Sequence, residues 1–440
     1  MTSGVVERRY RHVRRNFAMF FADYLLFGIA YALTSPSAVV PEFISRLTTD
    51  ERVIGLAGSM STLVWLAPQL LFSQFVTRGT RRKPYIYASP TLRTMIPLFA
   101  LLIAVFGGPP INATAILICF FITNGLFWIG DGLVTIAWAD MLGSSLDAKA
   151  RSRLYGFGQF GVAIGALVAR QIAAHLLAPE GPMFPFNYAA LFGVAGVIFV
   201  LGGISLALLR EEDHGGTVKP GPTLREFMPY IGKVLREDGK FRHFIITRLF
   251  FDLSTLALPF YILLGTDVLK RDSSSLVGDS ILLTTLGNAT LSLFNGWLSS
   301  KFGPTAVIRG MSLFKIGMPA AALLAIATGS VTGVHAAFFM LGAINGAFTP
   351  GFFDWLITHA PDDRRPIYVG LTNTISAFGN IAPLIGGVIL NYAKTAYSGM
   401  EGGAGASYAI LFWIALGAAA IGAVLTLGLS EPRQAQPVAA

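Results

Sequence analysis

Charged residues are scarce in this 440-residue chain, making up 13% of it against about 25% in a typical soluble domain. The hydrophobic fraction is 53%, and the mean hydropathy is +0.61. Several uninterrupted apolar stretches approach the length of about twenty residues that a helix needs to cross a hydrocarbon core. This composition excludes an ordinary soluble domain. It predicts a polytopic membrane protein whose bulk partner is the lipid bilayer.

Cysteine and recognisable catalytic motifs are also lacking. The single cysteine, Cys119, lies in an apolar run, which excludes an intrachain disulfide and a cysteine-based zinc site. The six histidines show no ligand spacing, and neither a Walker-type nor a His-Glu-x-x-His motif occurs. No nucleophile–base pair is visible. The sequence therefore predicts neither an enzyme nor a bound cofactor or metal.

Twelve apolar segments are long enough to be membrane spans. They lie at about 16–43, 53–76, 85–106, 112–138, 153–177, 187–209, 243–267, 277–299, 304–327, 333–358, 367–393 and 406–429. Each is predicted to be a helix because backbone polar groups in lipid must be satisfied within the segment. The predicted fold class is an all-α membrane protein with twelve transmembrane helices.

The basic residues are distributed unevenly between the two sets of loops. With the N-terminus placed in the cytoplasm, cytoplasmic segments hold 24 Lys and Arg residues and the opposite side holds five. Cytoplasmic loops of membrane proteins carry such an excess. We therefore expect both termini to be cytoplasmic in a cell (inner or plasma) membrane. The net charge of +9 then needs no nucleic-acid partner.

The two halves of the chain repeat the pattern Asn-Gly-x-Phe-x-x-Gly at a separation of 221 residues. Its residues are Asn124, Gly125 and Gly130 in the first half and Asn345, Gly346 and Gly351 in the second. Other correspondences keep the same order, including Asp23 with Asp252 and Arg93 with Lys315. A residue type shared by both halves favours helix packing, and glycine allows close helix approach. The repeat predicts two pseudo-symmetric six-helix bundles.

The predicted division of the chain follows from the spans and the repeat. It comprises a cytoplasmic basic N-terminus (1–15), an N-terminal bundle (16–209), a cytoplasmic connector with an amphipathic helix (210–242), a C-terminal bundle (243–429) and a cytoplasmic tail (430–440). Internally repeated bundles place a binding site near the midplane of the membrane, between halves that rock against each other. A self-contained bundle of this kind is expected to be a monomer.

With these twelve spans, the internal repeat and the long central loop, the chain resembles the major facilitator superfamily of secondary transporters. The loop after span two resembles the signature Gly-x-x-x-Asp-[Arg/Lys]-x-Gly-[Arg/Lys]-[Arg/Lys] of that family. The basic positions match at Arg78, Arg81 and Arg82, and the copy after span eight has Lys301, whereas Thr77 stands at the acidic position. Span eleven carries Pro383-Leu-Ile-Gly-Gly387, which resembles the Gly-Pro-rich motif of antiporters in the family, although they carry it in span five.

Eight ionisable residues are predicted to lie inside the bilayer, where each costs about 2.5–3.5 kcal/mol on insertion scales. They are Asp23, Arg93, Asp131, Arg170, Arg248, Asp252, Lys315 and Asp354. Matched depth suggests the ion pairs Asp23–Arg93 and Asp252–Lys315. We expect these four residues and Arg248 to act as coupling or gating charges. Two readings stay open: structural pairs that pin helices, or proton coupling through a carboxyl group with a raised pKa. Asp131 and Asp354 have no evident partner, and they are expected to face the cavity.

The resemblance implies that spans one, four, seven and ten line a substrate cavity. The polar and aromatic candidates there are Tyr24, Tyr31, Trp128, Asp131, Tyr261, Asp354 and Trp355. Asp131 and Trp128 are favoured because the second half does not repeat them. Such groups suit a small, polar organic solute.

The resulting hypothesis is a secondary active transporter that moves a small organic solute by alternating access, as a symporter or an antiporter. The coupling ion is expected to be H+. One alternative is a lipid or lysophospholipid flippase on the same fold. The other is a transporter-like receptor or assembly factor that does not transport.

Overall fold

The computed structural model describes residues 12–66, 83–146, 148–211, 234–361 and 365–432, and every regular element within these ranges is a helix. The α-helices are α1 (Val13–Leu33), α2 (Val39–Ser45), α3 (Glu51–Leu66), α4 (Lys83–Arg93), α5 (Met95–Phe106), α6 (Ala113–Ser145), α7 (Ala148–Leu177), α8 (Phe186–Ala207), α9 (Gly239–Leu253), α10 (Phe260–Leu263), α11 (Ser273–Phe302), α12 (Pro304–Thr328), α13 (Thr332–Phe348), α14 (Asp354–His359), α15 (Arg365–Gly379), α16 (Ala382–Ala396) and α17 (Gly403–Leu427).

Eleven helical segments among the described residues are long and apolar enough to cross a membrane. They correspond to eleven of the twelve predicted spans. The remaining predicted span, at 53–76, is described only as far as Leu66, as α3. The twelve-helix fold class is therefore confirmed for the part of the chain described. The amphipathic helix predicted in the connector and the basic residues Arg78, Arg81 and Arg82 lie outside the described residues.

The first span ends about ten residues earlier than predicted. Helix α1 stops at Leu33, and the chain turns before the short helix α2 begins at Val39. The break contains Pro36, and the residue before a proline disfavours the helical conformation. The break falls at the short stretch Thr34-Ser-Pro-Ser37 between apolar residues on both sides, and hydropathy averaged over a long window does not distinguish one helix from two.

Several helices begin where a side chain satisfies the free backbone N–H groups of the first turn. Asn112 accepts a hydrogen bond from the Ala115 amide at 3.0 Å at the start of α6. Asp238 and Asp272 accept equivalent bonds at the starts of α9 and α11. Gly303, with a φ of 83° that favours glycine, separates α11 from α12. These local signals set the ends of spans that the apolar runs alone leave uncertain.

The described residues divide into two compact units. The first unit comprises residues 12–35 and 60–211, and the second comprises residues 36–59 and 234–432. The segment 36–59 thus belongs by its contacts to the second unit, although the chain joins it at both ends to the first. The predicted bundle limits, at 16–209 and 243–429, stay predictions.

In the first unit, α8 packs against α1, α4 and α5, while α6 packs against α4 and α5 and α7 packs against α1. A fully buried apolar cluster, which includes Phe20, Ile86 and Leu206, joins α1, α4 and α8. In the second unit, α13 packs against α11 and α12, and α17 packs against α9, α12 and α16.

Glycine sets the close approach of α11 and α13. A Cβ atom on Gly342 would overlap the backbone carbonyl of Thr284, and one on Gly287 would overlap that of Phe339. Backbone atoms cannot move aside as a flexible side chain can. These two helices therefore tolerate no side chain at either contact.

We expect Gly342→Val to destabilise the second unit by about 1–3 kcal/mol, the usual cost of overpacking. The matched control is Gly417→Val on α17, where an added Cβ meets no atom within 4 Å. The measurement is the melting temperature of the purified protein in detergent. Equal melting temperatures for the two variants would contradict the close contact.

Candidate functional site

A buried arginine between two carboxylates is the main polar feature of the first unit. Arg93 Nη1 donates a hydrogen bond to Asp23 Oδ1 at 2.7 Å, and Arg93 Nη2 lies 3.7 Å from Asp131 Oδ1. The three side chains are between 5% and 10% exposed. We call these residues the Arg93 triad. It unites the predicted Asp23–Arg93 pair with Asp131, for which the sequence indicated no partner.

Three helices supply the triad: Asp23 lies on α1, Arg93 on α4 and Asp131 on α6. Arg93 is the last residue of α4, directly before the break at Thr94 that separates α4 from α5. Its guanidinium group lies over the Phe27 ring at 5.0 Å and approaches the Phe199 carbonyl at 3.4 Å. The cation is therefore held by an aromatic face as well as by carboxylates.

Two residues that the sequence did not single out complete this site. Trp65 Nε1 donates a hydrogen bond to Asp131 Oδ2 at 3.2 Å. Gly202 leaves room for the Asp23–Arg93 pair, because a Cβ atom there would lie 2.9 Å from Arg93 Nη1. Neither residue belongs to the internal repeat or to a motif. Only the packing of α3 and α8 identifies them.

Aromatic side chains lie near the triad on α1 and α6. Trp128, three residues before Asp131, donates its indole N–H to Asn124 Oδ1 at 3.0 Å. The Tyr31 ring, which is 42% exposed, meets the Trp128 ring edge-on at 6.0 Å. Tyr24 accepts a hydrogen bond from Gln159 Nε2 at 2.9 Å. Tyr31 and Trp128, two of the predicted cavity residues, are thus in contact, whereas Tyr24 is held by Gln159 of α7.

The second unit carries the opposite charge balance at its corresponding residues. Arg248 Nε lies 3.9 Å from Asp252 Oδ2, four residues further along α9. Lys315, the predicted partner of Asp252, donates a hydrogen bond to the Phe251 carbonyl at 3.2 Å. Arg248 also lies over the Phe348 ring at 5.0 Å. The second unit therefore combines two cations with one carboxylate, whereas the Arg93 triad combines one cation with two.

The other predicted cavity residues of the second unit differ in exposure. Asp354 is exposed, and its Oδ2 accepts a hydrogen bond from Ser299 at 3.0 Å. Trp355 is fully buried, stacks on Phe244 and donates to the Ser430 carbonyl. Tyr261 is 2% exposed and packs on the Phe412 ring at 4.8 Å. A π-helical turn, Thr349–Phe353, precedes Asp354 and rotates it relative to the repeat pattern.

The glycines of the repeat pattern lie at helix contacts in both halves, whereas its two asparagines differ in exposure. Asn124 is buried and Asn345 is exposed. Gly130 faces the Leu92 side chain, Gly346 faces the backbone of Asn288, and Gly351 faces Ile308. Gly125 faces Met60. Lys301, in the second copy of the signature loop, is exposed and lies over the Trp297 and Phe302 rings at 5.3 Å and 5.2 Å.

A separate polar cluster joins α9, α14 and α15 at one end of the second unit. Asp238 Oδ2 accepts hydrogen bonds from His359 Nε2 at 2.8 Å and from the Tyr368 hydroxyl at 2.9 Å, and Oδ1 accepts from the Phe241 amide at 2.9 Å. Partial burial acts to raise the pKa of Asp238. The hydrogen bonds from Phe241, His359 and Tyr368 outweigh it and lower that pKa below its ordinary value of 3.8.

We expect Arg93→Met to destabilise the first unit strongly, by about 3–5 kcal/mol, because it leaves two buried carboxylates without their cation. Arg93→Lys should recover part of this loss, since an ammonium supplies charge but not the two-pronged geometry of guanidinium. Melting temperatures of the purified variants provide the measurement. If Arg93→Met has the same melting temperature as the wild type, the stability of the triad does not depend on its cation.

A lowered carboxyl pKa in the folded state contributes stability above the unfolded-state pKa and loses it as the pH falls through the folded-state value. We therefore expect the stability contributed by Asp238 to disappear on acidification below about pH 4. Asp238→Asn should melt at a lower temperature than the wild type at neutral pH. This difference in melting temperature should become smaller in acid, where Asp238 of the wild type is protonated. The matched control is Asp279→Asn on α11, where the carboxylate lies 3.7 Å from His335 Nε2. A difference between wild type and Asp238→Asn that is constant with pH would contradict the assignment.

Comparison with known proteins identifies the family of this chain and structures that share its fold. The sequence model described as the Major Facilitator Superfamily matches residues 16–383. No curated protein sequence matches the chain. Among solved structures, it is similar to a D-xylose-proton symporter, with a TM-score of 0.66 and 16% identity, covering 93% of this chain and 97% of that one.

Two further structures share the fold. A bacterial homologue of the human lysosomal transporter Spinster has a TM-score of 0.68 and 15% identity, covering 96% of this chain and 98% of that one. The nucleoside transporter NupG has a TM-score of 0.63 and 12% identity, covering 94% and 98%. Identities this low show a common fold only. Together with the family match over most of its length, they establish that the chain belongs to the Major Facilitator Superfamily and is a multi-pass membrane transporter, not an enzyme.

Proposed function

We propose that this transporter moves a small organic solute by alternating access and that proton binding to Asp131 drives it. The observation that carries the proposal is the unequal pairing of Arg93. Its distance to Asp23 is 2.7 Å and its distance to Asp131 is 3.7 Å. Arg93 is thus paired with Asp23, while the charge of Asp131, which is similarly buried, is only partly compensated.

The charge balance of the triad favours a proton as the coupling ion. With both carboxylates ionised, the triad carries a net negative charge inside an apolar unit, which costs free energy. A proton on Asp131 removes that charge and leaves Arg93 paired with Asp23. When Asp131 loses its proton, it competes with Asp23 for Arg93. The triad can therefore adopt two arrangements, and the proton selects between them.

The surroundings of Asp131 support a link between proton and solute. Trp65 holds one carboxylate oxygen of Asp131, and Trp128 lies three residues away on the same helix. The Tyr31 ring against Trp128 is partly exposed. A solute with a polar ring or an apolar face could pack on these rings. Its binding would then change the solvation of Asp131, which is how a solute and a proton become coupled.

Sodium is a weaker candidate for the coupling ion. A proton alone is enough to neutralise the excess carboxylate charge of the Arg93 triad, in which Arg93 already pairs with Asp23. The opposite charge balance of the second unit, with Arg248 and Lys315 around Asp252, supports a role for that unit in binding or gating rather than in carrying the proton. We propose that the protein works as a monomer in the cell membrane, with both termini in the cytoplasm.

The first experiment identifies the solute and then tests the coupling. A ligand that binds the native state raises its melting temperature by mass action, so purified protein is screened against metabolites, drugs and lipids. Solutes that stabilise the protein are then followed in proteoliposomes with an imposed pH gradient. We expect Asp131→Asn to abolish gradient-driven accumulation but to retain solute exchange, because exchange needs no net proton movement.

Asp279→Asn, which removes a half-buried carboxylate elsewhere in the membrane-spanning part, is the matched control and should accumulate solute as the wild type does. Accumulation by Asp131→Asn at the wild-type level would overturn the coupling role and leave solute transport standing. Stabilisation by lipids alone, with no response to soluble compounds, would favour a lipid flippase. No ligand and no flux at all would favour a receptor-like protein.

A further inference from the structure

A second buried carboxylate lies far from the Arg93 triad in the sequence and in the other unit. Glu51 is the first residue of α3, and its side chain is 4% exposed. It belongs to the segment 36–59, whose contacts lie in the second unit. We call this stretch the docked segment. Nothing in the transport mechanism proposed above uses it.

The docked segment packs tightly within the second unit. Val39, Phe43, Ile44 and Ile54 are no more than 1% exposed. A Cβ atom on Gly55 would overlap the Pro383 carbonyl, and one on Gly387 would overlap the Glu51 carbonyl. The Ser59 hydroxyl accepts a hydrogen bond from the Leu384 amide at 3.1 Å. The Gly-Pro-rich stretch of α16 therefore forms the backbone contact with the docked segment.

Glu51 shares one cation with another carboxylate. Lys394 Nζ donates hydrogen bonds to Glu51 Oε1 and to Asp267 Oδ2, the latter at 3.1 Å. The Tyr408 hydroxyl also donates to Asp267 Oδ2, at 2.8 Å. We call Glu51, Asp267, Lys394 and Tyr408 the Lys394 network. It contains two carboxylates and one ammonium group.

The two carboxylates of this network differ in their surroundings. Asp267 is 40% exposed and accepts hydrogen bonds from both Lys394 and Tyr408. Glu51 Oε2 is buried and has no hydrogen-bond partner within the described part of the chain. Asp50, the neighbour of Glu51, adds a further negative charge that Arg52 compensates at 2.7 Å. Glu51 is thus the least compensated acidic group in the network.

Glu42 is the internal comparison, because it is equally buried on the same segment. Its Oε1 accepts hydrogen bonds from Ser273 at 2.7 Å and from Arg46 at 3.1 Å, and its Oε2 lies 3.4 Å from the Thr266 hydroxyl. Glu42 therefore has its own cation and hydroxyl donors for both oxygens. The orphaned oxygen of Glu51 is not a general feature of buried glutamates in this segment.

We propose that Glu51 is a second proton-binding site, which holds a proton on Oε2 while residues 36–59 are docked in the second unit. The proton leaves Lys394 paired with Asp267 and makes the network electrically neutral. A neutral hydroxyl at Oε2 costs less free energy than a second carboxylate charge, buried at Glu51, that must share the Lys394 cation with Asp267. Docking of the segment and proton uptake are thus linked. The site is independent of Asp131 and of the identity of the solute.

The linkage has a definite sign. If the folded protein holds the proton that the unfolded chain releases, stability is highest in acid and falls as the pH rises above the unfolded glutamate value of about 4.3. Glu51→Gln mimics the protonated side chain in size and charge. This variant should therefore fold and melt in acid at the same temperature as the wild type. As the pH rises, its melting temperature should fall less than that of the wild type, because the contribution of Glu51 is gone.

The test uses full-length purified protein on an Asp131→Asn background, so that the other proposed proton site is silent. Infrared spectra at neutral pH should show a protonated-carboxyl band that Glu51→Gln removes. The matched control, Glu42→Gln, should keep that band and the pH dependence while melting at a lower temperature, since Arg46 loses its partner. An unchanged band in Glu51→Gln would overturn the proposal. So would failure of this variant to fold or a lower melting temperature at every pH, because each of these results shows that Lys394 pairs with an ionised Glu51.

Discussion

The free energy cost of a charge in an apolar environment is the constraint on which the polar structure of this protein depends. Arg93 lies at the end of α4 with a side chain that is 5% exposed, and everything around it reduces that cost. Asp23 accepts its hydrogen bond, Phe27 offers an aromatic face, and Gly202 leaves the space. A second carboxylate, Asp131, exceeds what one cation can compensate. That excess is the basis of the proton site proposed at Asp131.

The same reasoning applies to both proposed proton sites, which lie in different units but contain the same numbers of cations and carboxylates. In the Arg93 triad and in the Lys394 network, one cation faces two carboxylates, and one carboxylate of each pair is better satisfied than the other. Asp23 has the short contact with Arg93, and Asp131 lies further from that cation. Asp267 is partly exposed and accepts two hydrogen bonds, whereas Glu51 is buried and its Oε2 has no partner in the described part of the chain. A proton is the smallest ligand that can neutralise the residual charge. The residues around Arg248 show the opposite count and thus no comparable reason to bind one.

The predicted architecture could be derived from the sequence because lipid imposes a simple rule. Backbone groups must be satisfied within each span, so a long apolar run is a helix. Eleven predicted spans accordingly appear as described helices, and the twelve-helix family fold is confirmed. The early end of α1 at Leu33 was missed because apolar residues flank the short break before α2 on both sides. Pro36 was the available signal, and it is a local steric effect that hydropathy does not register.

The sequence by itself determined the fold class, the repeat of the two halves and which ionisable residues lie in the membrane-spanning part, because these follow from composition, spacing and the cost of charge in lipid. It also suggested the Asp23–Arg93 pair from matched depth. Only the tertiary structure decided which groups share a cation. It brought Asp131 to Arg93 through Trp65 and α6, and it placed Glu51 beside Lys394, 343 residues away in the chain. Such contacts depend on how helices rotate and pack about each other, and no periodicity within one helix records that.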